Sequence, residues 1–440
     1  MSEHLSRSLG PVMLWGLGVG YVISGEYFGW NLGLPDGGPI GLLIATLLVS
    51  VMYIAFSYSY AELACAIPRA GGAFVYTSRA LGPTWGFLGG AAQILEFVFA
   101  PPAIAAAIGG YFVTYFPGQD PKVFAIIAYI LFTALNIYGV KHSAIFELGI
   151  TILAVVELLI FAGVTAPHFH LANLTQDAMP NGIAGIFTAL PFAIWFYLGI
   201  EGVANVAEEA KNPQKDITRG FGSAIFTLVA LALITLVCAV GVDGWKSVVF
   251  KLGSTAPSDT PLPMAMAKVV GDSHALFHIL VTIGLFGLIA SFNGLVLVSG
   301  RAIMEFGRVG YAPHWTGTIL KKRHTPAAAL LINLVLGIIA LLSGRTGDII
   351  TLSVFGAITL YALSMVAFFV LRKKEPKLAR PFKTPGHPWV PGSALVLSVL
   401  CLVAMVYYNR GLFLIYLGLL ALGYVWYLFF VPAERKKARI

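Results

Sequence analysis

The stretch with the greatest chemical potential is Tyr21-Val22-Ile23-Ser24-Gly25-Glu26-Tyr27-Phe28-Gly29-Trp30. It lies in the middle of the first long apolar segment, where Gly25 and Gly29 weaken a helix and Glu26 carries a carboxyl group. An ionisable side chain at the bilayer centre costs at least about 2.5–3.5 kcal/mol, so such groups face a cavity or a partner. Unwinding at Gly25 would free backbone carbonyls beside the carboxylate, an arrangement that suits an alkylammonium ion. The competing reading is a buried, protonated acid bonded to a neighbouring helix.

Further polar groups recur inside apolar runs. Gln93, Glu96 and Ala100 share one helical face, just before Pro101-Pro102, which removes two donors and is expected to kink the segment. Glu96 is a candidate for binding a cation or carrying a proton, or for an interhelical hydrogen bond. Trp195, Phe196 and Tyr197 precede a second interruption at Leu198-Gly199-Ile200-Glu201-Gly202. Aromatic faces attract cations by roughly 0.5–2 kcal/mol, so these side chains could wall an amine site or simply pack. Glu201, at the interruption, is a candidate gate or proton site, and Glu157 a candidate proton carrier. Ser291 and Asn293, beside Gly294, could line the same cavity or bond between helices. Glu147 is expected at the interface, and Glu62 is expected to pair with Arg69 or Arg79.

Other chemistry finds no support in the residue pattern. There is no phosphate loop, metal-ligand spacing or nucleophile constellation, so neither an enzyme nor a cofactor is indicated. Gly16, Gly18 and Gly20 are helix-packing glycines, because no strand precedes them. His168 and His170 are too isolated for a metal site. Cys65, Cys238 and Cys401 lie far apart in apolar segments and read as small core residues.

These residues sit in a chain of 440 residues that is 58% hydrophobic and only 11% charged, with a mean hydropathy of +0.84. That balance excludes a soluble domain and specifies an all-α polytopic membrane protein. The net charge of +8 resides in short loops and reads as topology, with no nucleic-acid face. Twelve spans are expected, near 10–33, 40–64, 85–115, 122–140, 147–165, 182–208, 219–242, 275–305, 326–344, 348–371, 390–408 and 411–431. Of the 28 Lys and Arg residues, only Lys122, Lys246, Lys251, Lys268, Arg345 and Arg410 fall on the outer side if the N-terminus is inside. Both termini are therefore expected in the cytoplasm. The first span follows a short leader without a cleavage signal and reads as a retained anchor. The basic run from Arg372 to Lys374 and the tail from Arg435 to Arg439 read as topology determinants and lipid headgroup contacts.

The first and sixth spans each begin a group of five, and each is interrupted by glycine with a glutamate at the break. Because five is odd, the two groups are inverted, and matching interruptions in inverted halves mark the site of a secondary transporter. The expected organisation is a core of residues 1–371, with halves at about 10–165 and 182–371. Residues 372–440 then hold a basic loop, two peripheral helices and a tail.

The run Glu62-Leu63-Ala64 through Ile67-Pro68-Arg69-Ala70-Gly71-Gly72-Ala73-Phe74 resembles the amino acid–polyamine–organocation transporters. So do Gly199-Ile200-Glu201, Glu208-Glu209-Ala210-Lys211-Asn212-Pro213, and Arg301 followed by Gly310-Tyr311-Ala312-Pro313. Within that superfamily, Gly20 to Asn31 and Leu95 to Ala105 resemble the ethanolamine permease group. The resemblance implies a five-plus-five inverted repeat, two extra helices and alternating access. It implies that Ser24-Gly25 forms part of the substrate turn and that Trp195 and Glu201 line or gate the site. Glu26 departs from the turn of the amino acid carriers, where the substrate carboxylate is received, and favours an amine without an acid. A lysine that some proton-coupled relatives carry in the fifth helix is replaced here by Ala154, one turn before Glu157. Uniport, proton symport and exchange all remain open.

Overall fold

In a computed structural model, residues 9–68, 71–139 and 144–437 are described, without the side chains of Ala144, Asn205 to Glu209, Gln214 and Lys437. Arg7, Arg69, Lys141 and Arg439, and the side chains of Glu208 and Glu209, therefore lie outside the described residues. Among those described there is no β-strand, only isolated bridges such as Leu9 with Ala210.

Helices occupy all twelve expected places. Among the described residues nine are long and apolar enough to cross a membrane, and a bent pair, Gly182–Thr188 with the segment beginning at Leu190, makes ten. The remaining two are shorter. Pro11–Val22 has 12 residues and is continued by Ser24–Tyr27, and Ala327–Leu342 has 16. The second span runs from Leu34 to Ala66 with a non-helical Gly38, and the third from Pro83 to Tyr115. The fourth is Pro121–Tyr138, the fifth Ala144–Thr165 and the seventh Pro213–Asp243. The eighth is Ala275–Arg308, the tenth Thr346–Lys374, and the last two are Trp389–Tyr408 and Arg410–Phe430.

The packing repeats itself when each of the first five spans is exchanged for its counterpart five later. The first span packs on the seventh as the sixth packs on the second; the third packs on the tenth as the eighth packs on the fifth. The first–fifth contact likewise mirrors the sixth–tenth contact. The eleventh and twelfth spans lie outside this pattern, and most side chains of the twelfth are exposed to the surroundings of the protein.

The third span passes through Pro101 and Pro102 as one continuous helix, in keeping with its expected bounds. Two features were not expected. An amphipathic helix, Ala73–Leu81, lies between the second and third spans. Trp245–Val249 and Pro261–Val270 structure the connection between the seventh and eighth spans, the one expected on the outer side.

Charge is concentrated at the lysine- and arginine-rich end. Glu62 is buried and does not pair with Arg79, while Arg69 lies outside the described residues. The Glu62 oxygens accept from Arg372 at 2.9 and 2.6 Å and from the Thr384 amide at 2.7 Å, with Arg380 at 3.3 Å. Arg79 instead pairs with Glu375 at 3.0 and 2.6 Å, and that hydrogen bond holds the Glu375 carboxyl below its usual range. The reason is reach: the loop after the tenth span folds back under the second, bringing fixed guanidinium forks to a carboxylate already inside. Arg372 is thus a structural partner here, where a lipid contact was expected.

Breaking a buried ion pair from one side leaves the other charges uncompensated and costs about 3–5 kcal/mol. Glu62→Ala is therefore expected to lower the melting temperature of the detergent-solubilised protein by several degrees. An unchanged melting curve would show that this cluster does not hold the second and tenth spans together.

Candidate functional site

The first span tightens before it breaks. Glu26 N bonds back only three residues, to Ile23 O at 3.0 Å, and the chain leaves helical geometry altogether at Phe28 and at Gly29, whose φ is +90°. The interruption therefore spans Ile23 to Gly29, where the sequence placed it at Ser24–Glu26. In the sixth span the helix ends at Trp195, and Gly199, with φ +98°, turns the chain into the 3-10 segment Ile200–Glu209.

The two interruptions meet backbone to backbone. A Cβ on Gly25 would stand 2.5 Å from Trp195 O and 3.1 Å from Phe196 Cα. Gly25 thus serves close approach, where the sequence suggested conformational freedom. Gly29 in turn admits the Trp195 indole, whose Nε1 would lie 2.5 Å from an added Cβ.

Polar groups freed by the interruptions are mostly satisfied locally, as membrane burial requires. Ser291 Oγ donates to Tyr21 O at 2.7 Å and to Ser24 Oγ at 2.8 Å. Trp30 Nε1 donates to Glu26 O, and Tyr111 Oη donates to Tyr27 O. Gly29 N donates to Asn31 Oδ1, while Asn31 Nδ2 donates to Val248 O and Ser258 O, tying the first span to the outer connection.

Four side chains are exceptions. Both carboxyl oxygens of Glu26, both of Glu96, Oε1 of Glu201 and Nε1 of Trp195 are buried without a hydrogen-bond partner. Glu26, Glu96 and Glu201 are 0% exposed and Trp195 is 2% exposed. None of the three acids forms an ion pair among the described residues. The junction is thus a closed, anion-rich and base-free core.

The predicted residues divide between several places. Ser24, Gly25, Glu26, Trp195, Phe196, Gly199 and Ser291 come together at the junction. Phe196 stacks on Trp30 and Trp195 meets Phe28 edge-on. Tyr197 Oη pairs with Ser50 Oγ at 2.7 Å and its ring lies 5.1 Å from that of Tyr53. Glu96 faces Glu201. Gln93 is buried one turn before it, on the same helix. Asn293 turns away, accepting from Asn136 of the fourth span at 2.9 Å. Glu157 accepts from Tyr27 Oη at 2.6 Å and borders a cavity with Tyr111, Leu262 and Met266. Glu147 is buried against Gly20, near the start of the fifth span.

Sequence reasoning missed Tyr53, Tyr60 and Tyr361. Tyr361 Oη donates to Glu201 Oε2 at 2.8 Å, and Tyr53 Oη donates to Tyr361 Oη at 3.1 Å. A signal was available: Ser50, Tyr53, Ser57 and Tyr60 recur at three- and four-residue intervals in an apolar helix.

The sequence matches the amino acid permease family over residues 9–437, nearly the whole chain. The chain belongs to that family. It is 30% identical to an uncharacterized transporter of Rhizobium meliloti over 91% of this chain and 86% of the relative. It is 27% identical to the branched-chain amino acid permease BcaP of Bacillus subtilis, over 94% and 91% of the two chains. A probable GABA permease of Pseudomonas aeruginosa is 24% identical over 88% and 84%. The permease is thus a multi-pass membrane transporter of the amino acid–polyamine–organocation superfamily, and not an enzyme.

Two outcomes follow from this geometry. In Gly25→Ala the added methyl meets a main-chain carbonyl that cannot swing away, so the two interruptions must separate. Transport by the variant in proteoliposomes is expected to be lost while the protein remains folded; wild-type rates would show that the junction tolerates separation. The second concerns the outer connection, where Asp259 accepts from Thr346 Oγ1 at 3.0 Å. Burial raises its carboxyl to about 6, against the opposing influence of Thr346 and Lys251. The closed connection therefore holds a proton that the open one releases, and closure weakens as pH rises through about 6. Hydrogen exchange of segment 250–260, corrected for intrinsic rates, is expected to quicken between pH 5 and 7 in the wild type and not in Asp259→Asn.

Proposed function

We propose that this permease carries ethanolamine or a similar small organic amine by alternating access, with Glu26 as the ammonium site. The observation that carries the reading is the Glu26 carboxyl group, fully buried at the meeting of the two interruptions with neither oxygen partnered. An alkylammonium would supply the missing charge and donors, whereas an amino acid would bring a second carboxylate towards Glu26. The unpartnered Trp195 N–H is a donor for the substrate's hydroxyl oxygen. Phe28, Phe196 and Tyr197 supply the aromatic surface that favours a cation.

Residues 1–371 form the transporting core in this reading, with the last two helices peripheral. In this reading the chain sits in the cell membrane, the inner membrane where there are two, with both termini cytoplasmic, which the charge asymmetry supports. The membrane potential contributes about 2.3 kcal/mol per 100 mV to a monovalent cation, with or without a coupled proton.

A second reading, an amino acid or polyamine permease of the same fold, is favoured by the names of the relatives. Thermal stabilisation of the purified protein by ethanolamine, choline, putrescine, alanine and arginine separates the two, because a ligand stabilises the state it binds. Stabilisation by ethanolamine supports the amine site; stabilisation by alanine or arginine alone overturns it. Glu26→Gln removes a charge-assisted hydrogen bond of about 1.5–3 kcal/mol, so ethanolamine affinity is expected to fall roughly tenfold to a hundredfold. An unchanged affinity would remove Glu26 from the site.

A further inference from the structure

We propose that Glu96 and Glu201 act as one acid unit holding a single exchangeable proton between their carboxyl groups, and that this proton is the ion coupled to transport. The coupling half of the proposal rests on the transport reading above; the shared proton does not.

The argument starts from donors. A carboxylate only accepts hydrogen bonds, and two bare carboxylates cannot bond to one another. Glu96 has no donor to either oxygen, yet its carboxyl interacts with that of Glu201. Glu201 accepts from Tyr361 Oη on Oε2 and lies against the backbone amides of Gly199 and Glu201, while its Oε1 has no side-chain donor. The remaining bond therefore requires a proton between the two groups, and like charges at this separation in a buried site do not both ionise. With one proton bound the pair carries a single negative charge, which Tyr361 stabilises from one side.

The backbone fixes this encounter. Gly356 of the tenth span lets the third approach so closely that an added Cβ would stand 2.7 Å from Glu96 N. Ser353 Oγ donates to Glu96 O at 2.8 Å, one turn away. Glu201 arrives from the sixth span immediately after Gly199.

The surroundings contain no competing base. Tyr53 and Tyr60 face the pair from the second span, Tyr361 from the tenth and Tyr416 from the twelfth. All are phenols, uncharged at neutral pH. On the sixth span Tyr197 faces Glu26. No Lys, Arg or His pairs with either carboxyl among the described residues.

In the closed state the proton is shared and cannot leave. When the sixth span moves at Gly199, Glu201 separates from Glu96. The bridging O–H then loses its acceptor and releases its proton to water on whichever side has opened.

The shared proton is tested by infrared difference spectroscopy of the purified protein. Wild type is expected to show the carbonyl stretch of a protonated carboxyl at neutral pH that is lost in Glu96→Gln and altered in Glu201→Gln. Identical spectra in all three would overturn the pair. Coupling is tested in proteoliposomes at clamped potential with an acid-outside gradient and labelled ethanolamine, or labelled alanine. Wild type is expected to accumulate substrate, and Glu96→Gln to lose gradient-driven accumulation while keeping substrate counterflow. Equal gradient-driven accumulation in both would overturn the coupling role. Failure of ethanolamine to bind wild type would sink the amine reading alone, since the infrared result does not depend on it.

Discussion

The architecture depends on one close contact, the approach of the first span's Gly25 to the Trp195 carbonyl of the sixth. Two interrupted helices can meet at membrane depth only if the polar groups they expose are satisfied within the protein. Here the surrounding spans supply that satisfaction from named side chains: Ser291 from the eighth, Tyr111 from the third, and Trp30 and Asn31 from the first itself. The long, straight spans are thus a frame that brings donors to a broken pair. Residues such as Gly284, Gly287 and Gly294, whose added Cβ would press on Tyr27 or Tyr21, let the eighth span lie close enough to do so.

Against that background, the distribution of satisfied and unsatisfied acids carries meaning. At the basic end Glu62 is saturated by two arginines and an amide, and Glu375 by Arg79. Those carboxylates hold elements together. At the centre Glu26, Glu96 and Glu201 are as deeply buried and have almost no donors. A buried charge without a partner is costly, and proteins retain such groups in membranes where a ligand or a proton completes them. The same side-chain type is saturated at one end of the protein and left short of donors at its centre, which is why the central acids carry the proposed function.

Much of this was legible in the sequence. Hydropathy placed helices at all twelve spans, and glycine next to glutamate located both interruptions to within a few residues. Depth and residue type alone singled out Glu26, Glu201 and Ser291. What stayed hidden depends on contacts between distant segments. Nothing local tells that Glu62 meets Arg372 and Arg380, some three hundred residues away, or that Glu96 faces Glu201. Asn293 lies two residues from Ser291, and a helix turns about 200° in two residues, so the two face different neighbours. Gly25 was recognised as important for the wrong physical reason, because a glycine chosen for contact and one chosen for backbone freedom read alike.

The geometry also links the two anionic centres. Tyr197 faces Glu26 and stacks near Tyr53, Tyr53 donates to Tyr361, and Tyr361 donates to Glu201. Tyr197 and Glu201 stand two residues to either side of Gly199, whose positive φ sets their relative direction. A rearrangement at that single glycine changes the position of Glu201 relative to Tyr197, and so relates the two acid centres. In the proposed mechanism, Glu26 and the Glu96–Glu201 pair are therefore joined through the short backbone from Tyr197 to Glu201, with no long-range pathway required.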